Sequence, residues 1–256
     1  MDTVVQNMNT SIPASIFHLS ERNKQAGQVI KDYALRHTLT DIGIGLVGTY
    51  VPIPGSGIAA MVASMLMQAP MFYQPMIKKL AGIYANPMDE SVQNIVFQRK
   101  TTSALGDLAA EFGAGFLRKI IFKVLRERNV SLGAGFIPVI GGLASAALDA
   151  TFATTLTWRI GKMAAIYYQY SGWIGNQEET YERARSITPW SLHQENNLEA
   201  IPEKNPEVLQ KHRDWVLILA KELKQGAEDM SDEQLRTTLR SQGLPEHAIN
   251  YALNQL

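Results

Sequence analysis

The stretch IPVIGGLASAALDATF, residues 137–152, decides how this chain is read. Nothing in it alternates as a strand does. A proline and two adjacent glycines lead into a run of alanine and other small residues with helical spacing, which describes an apolar helix interrupted near its start. A second stretch, VPIPGSGIAA at residues 51–60, has the same design. Shifting the chain by 86 positions lays Pro52 on Pro138, Gly55 on Gly141 and Ala60 on Ala146. Further along, AGIY at 81–84 falls on AAIY at 164–167 after a three-residue adjustment, so the chain reads as an internal repeat. Small side chains recur every four residues in both halves: Ser56, Ala60 and Ser64 in the first, Gly142, Ala146 and Ala150 in the second. Such a stripe lets helix backbones approach closely, and the two helices are expected to pack on each other.

The same stretches are short of charge. No charged residue stands between Asp41 and Lys78, a gap of about 36 residues where roughly 20 suffice to span a bilayer. Pro52, Pro54, Gly55, Pro138 and Gly141 would then mark hairpin tips. Arg36 and Lys78–Lys79 bracket the first stretch and Arg126, Arg128 and Arg159 the second, and positive flanks favour the cytoplasmic side. Against this stands a mean hydropathy of -0.09, the value of a soluble protein.

Whole-chain composition excludes several classes of function. With 24 Lys plus Arg and 24 Asp plus Glu the formal charge is zero, so no global field draws the chain to nucleic acid, and an electrostatic partner needs a local patch. The absence of cysteine removes disulfides, thiolate catalysis and cysteine-ligated metals. The first residues show no basic segment followed by an apolar run, so no signal peptide is expected.

The chain divides into an N-terminal extension at 1–19, a main helical region at 20–175, a linker at 176–204 and a C-terminal helical module at 205–256. Residues 20–40 read as an amphipathic helix with Val29, Ile30, Tyr33 and His37 at helical spacing. A long helix from residue 57, kinked at Pro70 and Pro75, follows. The polar segment after Trp173, with three prolines, reads as a helix end and linker. Asn205 and Pro206 look like the N-cap and first residue of a helix ending at Gly226. SDEQ from Ser231 is a capping box, and Gly243 and Pro245 stop one helix and start another. The Gly-Leu-Pro turn there resembles that of ubiquitin-associated-type helical modules, although two helices do not make one. The class is all-α: a helical bundle built from two broken apolar hairpins, with a small C-terminal helical tail.

Motifs for chemistry are sparse. GIGLVG at 43–48 matches GxGxxG, but the next carboxylate after Asp41 is Asp89, too far for a dinucleotide site, and helix packing explains the glycines better. No phosphate loop, HExxH or GxSxG is present. His18, His37, His193, His212 and His247 are scattered and read as surface or interfacial rather than metal-binding. Asp149, a carboxylate within an apolar helix, suits proton or ion handling or a partner's arginine, but reads better as a buried polar group satisfied by nearby hydroxyls or as a position facing water. FLRKIIFKVLRER sets an apolar stripe against Arg118, Lys119, Lys123 and Arg126, which suits either a headgroup layer or a helix that covers a core.

Residues 41–172 resemble the bacterial family called domain of unknown function 697, which includes YcjF-like inner-membrane proteins. The resemblance rests on residues 51–55, Ile58, Ala59, Gln68, LAGIY at 80–84 and IPVIGG at 137–142; the run IPVIGGLASAALDATF also resembles the second motif of EcsC-like proteins. Ser56-Gly57 departs from the family's small residue and aspartate. The resemblance implies membrane association and, in some relatives, partnership with GTPases, but no reaction, catalytic residue or cofactor. The expectation is a non-enzymatic scaffold or adaptor at the cytoplasmic side of a bacterial inner membrane. Its partners would be lipids and a protein such as a GTPase or secretion system, and not nucleic acid, with homo-oligomers open. The alternatives are a soluble cytoplasmic all-α interaction module and a pore-forming or lipid-perturbing effector.

Overall fold

The computed structural model describes residues 12–47, 66, 69–85, 112–127, 142–187, 198, 201–202, 205–227 and 229–256. Among them the chain forms eight α-helices and no strand, so the all-α helical bundle stands. The helices are α1 (Leu19–Val47), α2 (Tyr73–Ala85), α3 (Ala114–Glu127), α4 (Gly142–Tyr170), α5 (Gln177–Ile187), α6 (Pro206–Gly226), α7 (Asp232–Ser241) and α8 (Glu246–Leu253), preceded by a 3-10 turn at Ala14–Ile16.

The centre of the bundle is α4. It lies along α1 and also meets α2, α3 and α5. The contact with α1 is close because Gly161 has no side chain: a Cβ there would stand 2.7 Å from Cγ1 of Ile30. The same face of α4 presents Thr157 and Thr154. Thr157 gives its hydroxyl proton to the Ala153 carbonyl at 2.8 Å, so the 2.9 Å contact with His37 Nδ1 needs the imidazole as donor. Thr38 likewise donates to the Ala34 carbonyl and accepts from Thr154. Phe72 stacks on His37 with ring centroids 4.4 Å apart, which brings α2 into the same layer.

The long helix expected from residue 57 does not run through its prolines. Residues 69–72 form a turn, and the amides of Tyr73 and Gln74 both donate to the Ala69 carbonyl at 3.0 Å. Pro75 falls in the first turn of α2, where a missing N–H leaves no bond unmade. The segment expected as a linker contains α5. Asn176 caps it, accepting from the Glu178 and Glu179 amides at 2.9 and 3.0 Å while its own amide donates to Glu179 Oε1 at 2.7 Å. Gly175 supplies the left-handed entry with φ +66.

A second core forms around α6, α7 and α8 from Trp215, Val216, Leu219, Leu235, Leu239, Ile249 and Ala252. Residues of the N-terminal segment complete it: Ile12, Ile16 and Phe17 are buried there. Three expected signals hold. Pro206 opens α6, Ser231 and Gln234 form a reciprocal capping box, and Gly243 turns with φ +63 before Pro245 begins the next helix. The strap at 12–17 passes into α1 at His18, which adopts φ 50. There the His18 and Leu19 amides donate to the Gln242 and Gly243 carbonyls at 3.1 and 3.3 Å, so the C-terminal turn caps the start of α1.

Two expectations are overturned here. Among the described residues no helix is long and apolar enough to cross a membrane. The described part of α4 carries Arg159 and Lys162, and its residues 152–166, apart from the half-buried Arg159, are buried within the protein. The inner-membrane placement, the membrane association and the lipid partner fall with that finding. The internal repeat also fails where it is visible. AGIY lies in the short α2, where Tyr84 is buried and donates to Asn23 Oδ1 at 2.8 Å. AAIY lies inside the long α4, where Tyr167 is half-buried against Trp173, with ring centroids 4.7 Å apart. Matched letters therefore occupy unlike settings.

Candidate functional site

Much of what sequence alone marked as a site lies elsewhere. Pro52, Pro54, Gly55, Ser56, Ala60, Ser64, Pro138, Gly141 and His193 fall outside the described residues. Gly142, Ala146, Asp149 and Ala150 fall in the first part of α4, with side chains outside the description. Residues 43–47 of the glycine motif are helical, part of α1, and make no strand-to-helix turn. Among the described residues no three His, Cys, Asp or Glu side chains are placed to hold a metal ion.

Several buried polar groups escaped residue-type reasoning. Arg22 is fully buried; its Nε donates to the Phe17 carbonyl at 2.6 Å and its Nη1 to the Ile83 carbonyl in the last turn of α2. A cation there complements the negative end of the helix. Burial lowers its pKa to about 10, which still leaves it charged at neutral pH. Lys162, 4% exposed on α4, is different: burial, with Arg159 on the same helix, brings its amine down to about 7. A neutral amine of this kind can serve as a nucleophile, but a lysine so covered presents no face to a substrate. His212, read as surface or interfacial, is fully buried on α6.

On α3 the two sides have opposite fates. Phe116, Leu117, Ile120, Ile121, Val124 and Leu125 are all buried in the main core, as the stripe in the sequence required. Each such side chain gains about 1.5–3 kcal/mol from burial, so the protein interior, not a headgroup layer, occupies this face. The lipid-facing reading of Arg118, Lys119, Lys123 and Arg126 is therefore overturned. Lys123 turns to α5, pairing with Glu178 and, at 2.7 Å, with Glu182, while its ammonium sits 4.3 Å from the centre of the Tyr181 ring. Burial opposes that charge, yet the hydrogen bonds to the two carboxylates outweigh it and raise the lysine pKa. The bond from Lys123 holds Glu182 below the usual carboxylate range. At the end of α3 Glu127 accepts from Tyr181 Oη at 2.7 Å and meets Arg185 and Arg159 at 3.3 and 3.8 Å. Burial, and then that bond to a carboxylate, push the Tyr181 phenol well up.

What remains on the outside of α3 is Arg118, Lys119, Phe122 and Arg126, all exposed. Successive steps of 100° put them on one side of the helix. Arg118 lies 5.8 Å from the centre of the Phe122 ring. Among the described residues no carboxylate pairs with these three cations, whereas Lys123 and Glu127, at the edge of the same surface, are fully engaged. In a chain of zero formal charge this is a positive patch with an aromatic centre and no carboxylate of the described residues paired to it.

Comparison with protein-family models, with curated proteins and with solved structures finds no match to the chain. The resemblance to the 697 family thus rests on its quoted motifs alone, and the bacterial origin and the GTPase or secretion-system partner that it implied gain no support.

Proposed function

We propose that the chain is a non-enzymatic, all-α protein-interaction module that docks an acidic segment of a partner protein on the outer face of α3. One observation carries the reading: Arg118, Lys119 and Arg126 stand exposed around Phe122 with no carboxylate of the described residues paired to them. Exposed charges of one sign raise the on-rate and select for a complementary partner. An exposed aromatic ring amid arginines is also the side-chain mixture from which interface anchors are drawn. The inner face of α3 is packed on the core, which makes the helix a rigid platform for such an encounter.

The test is fluorescence anisotropy with a labelled Glu/Asp-rich peptide containing one leucine, in low and in physiological salt. The wild-type chain should bind it with an affinity that falls as salt rises. The triple variant R118E/K119E/R126E should lose at least tenfold with unchanged helicity, and Phe122→Ala should lose less. Equal binding by wild type and triple variant, or capture of anionic vesicles but not of the peptide, would remove the proposal.

A further inference from the structure

The seam where α6–α8 and the 12–17 strap meet the end of α4 is built around two imidazole rings. His212 on α6 is fully buried, and its ring lies 6.3 Å from that of His247 on α8, the two nearly parallel at 17°. Trp215 covers another side, with ring centroids 5.6 Å apart. From α4 the seam receives Gln169, also fully buried, whose backbone carbonyl accepts from Ser15 of the strap at 3.3 Å. Neither ring nitrogen of His212 closes a hydrogen bond of normal geometry, and neither atom of the Gln169 carboxamide does. Polar groups buried without partners hold a seam weakly.

Among the described residues the charges around His212 give an added proton no carboxylate to pair with. On its own helix Lys211 stacks over Tyr170 of α4 and Trp215, at 4.4 and 5.6 Å from the ring centres. Glu207 is paired with Arg183 of α5 at 2.9 Å, and Asp214 accepts from Gln210 at 2.8 Å. Arg213 lies over the Tyr251 ring of α8 at 5.4 Å. From α8 comes His247 itself, while Glu246 is held by Arg240 and Arg236. The strap contributes Ser15 and ends at His18, which lies against Gly243. Every carboxylate named here is committed away from the ring.

We propose that this histidine pair is an acid-sensitive latch: protonation releases α6–α8 and the strap from α4, while α1, α2, α3 and α4 stay packed on one another. Burial first, and then the facing His247, depress the pKa of His212 to about 4, with the Gln169 backbone working weakly the other way. An opened seam returns His212 to its ordinary value near 6.5. Between those two values the open form binds more protons, so the latch is fully closed above about pH 6.5 and weakens as pH falls toward about 4.

Hydrogen exchange with mass-spectrometric readout on the full chain, corrected for intrinsic rates, tests this between pH 7.5 and 4.5. Peptides from α6 and α8 should lose at least tenfold protection between pH 6.5 and 4.5, and peptides from residues 24–38 and 152–166 should not. In His212→Phe the midpoint should move down by at least one pH unit. A loss spread evenly over all helices, or an unchanged midpoint in that variant, would overturn the latch. If His212→Phe is not helical at pH 7.5, His247→Phe carries the same test, and its midpoint must also fall.

Discussion

At the scale of the residue, the most consequential side chain is one that no motif announced. Lys162 sits in the core of α4 with its amine brought down to about 7 by burial, and the unfolded chain would restore it to near 10.5. Between those values the unfolded state holds more protons, so stability rises with pH through that window and the lysine destabilises the fold below it. Lys162→Met should therefore stabilise the protein by about 2–4 kcal/mol at pH 7, with the gain shrinking toward pH 10. Urea unfolding of both chains at pH 7, 8.5 and 10 measures this; parallel pH profiles would mean that the lysine is not the titrating group. Its burial was not legible, because residue type alone sends lysine outward. His37, also fully buried, had a signal against its surface or interfacial reading, since it stands four residues after Tyr33 at helical spacing. His212 could have been read in the same way, four residues before Val216 and four after Val208, had phase outweighed identity.

At the scale of the element, caps and stripes were legible in proportion to how cleanly they stood apart from their surroundings. The Ser231 box precedes a regular amphipathic helix and was found. Asn176 and Glu179 have the same spacing, yet the polar, proline-bearing segment around them reads as linker. Asn176→Ala should cost about 1 kcal/mol and fray α5, loosening Glu178 and Glu182 from Lys123. The check is chemical denaturation together with the carboxylate chemical shifts of those two glutamates, and an unchanged shift for both would show that the cap does not position them. The stripe of α3 was equally plain, but not what covers it. An apolar face is the same whether lipid or protein meets it, and only the buried faces of the surrounding helices decide. The small-residue stripe met a related limit. Its own residues, Ser56, Ala60 and Ser64 and the side chains of Gly142, Ala146 and Ala150, lie outside the description, and it is further along α4, at Thr154, Thr157 and Gly161, that the helix meets α1.

At the scale of the whole molecule, the all-α class followed from the lack of alternation, whereas the place of the N-terminal strap in the second core did not follow from sequence order. The strap at 12–17 belongs with helices at the far end of the chain, and its short apolar run, read alone, looks like a tail. Phe17→Ala empties a site 3% exposed in the second core and should cost about 3–5 kcal/mol. Exchange protection in α7 and α8 should fall more than in α1 and α4. An equal loss in every helix would show one core where two are described. The cations of α3 were visible in sequence as letters, but their setting was not: only the fold tells which basic residues find carboxylates among the described residues and which do not.

The bonds from the His18 and Leu19 amides to the Gln242 and Gly243 carbonyls join parts of the chain that are made far apart in time. During translation the strap emerges early and its seat late, so Ile12, Ile16 and Phe17 remain greasy and homeless on the ribosome until α8 has cleared the exit tunnel. Closing this joint therefore waits on residues far along the chain, which makes it a late, long-range step of folding.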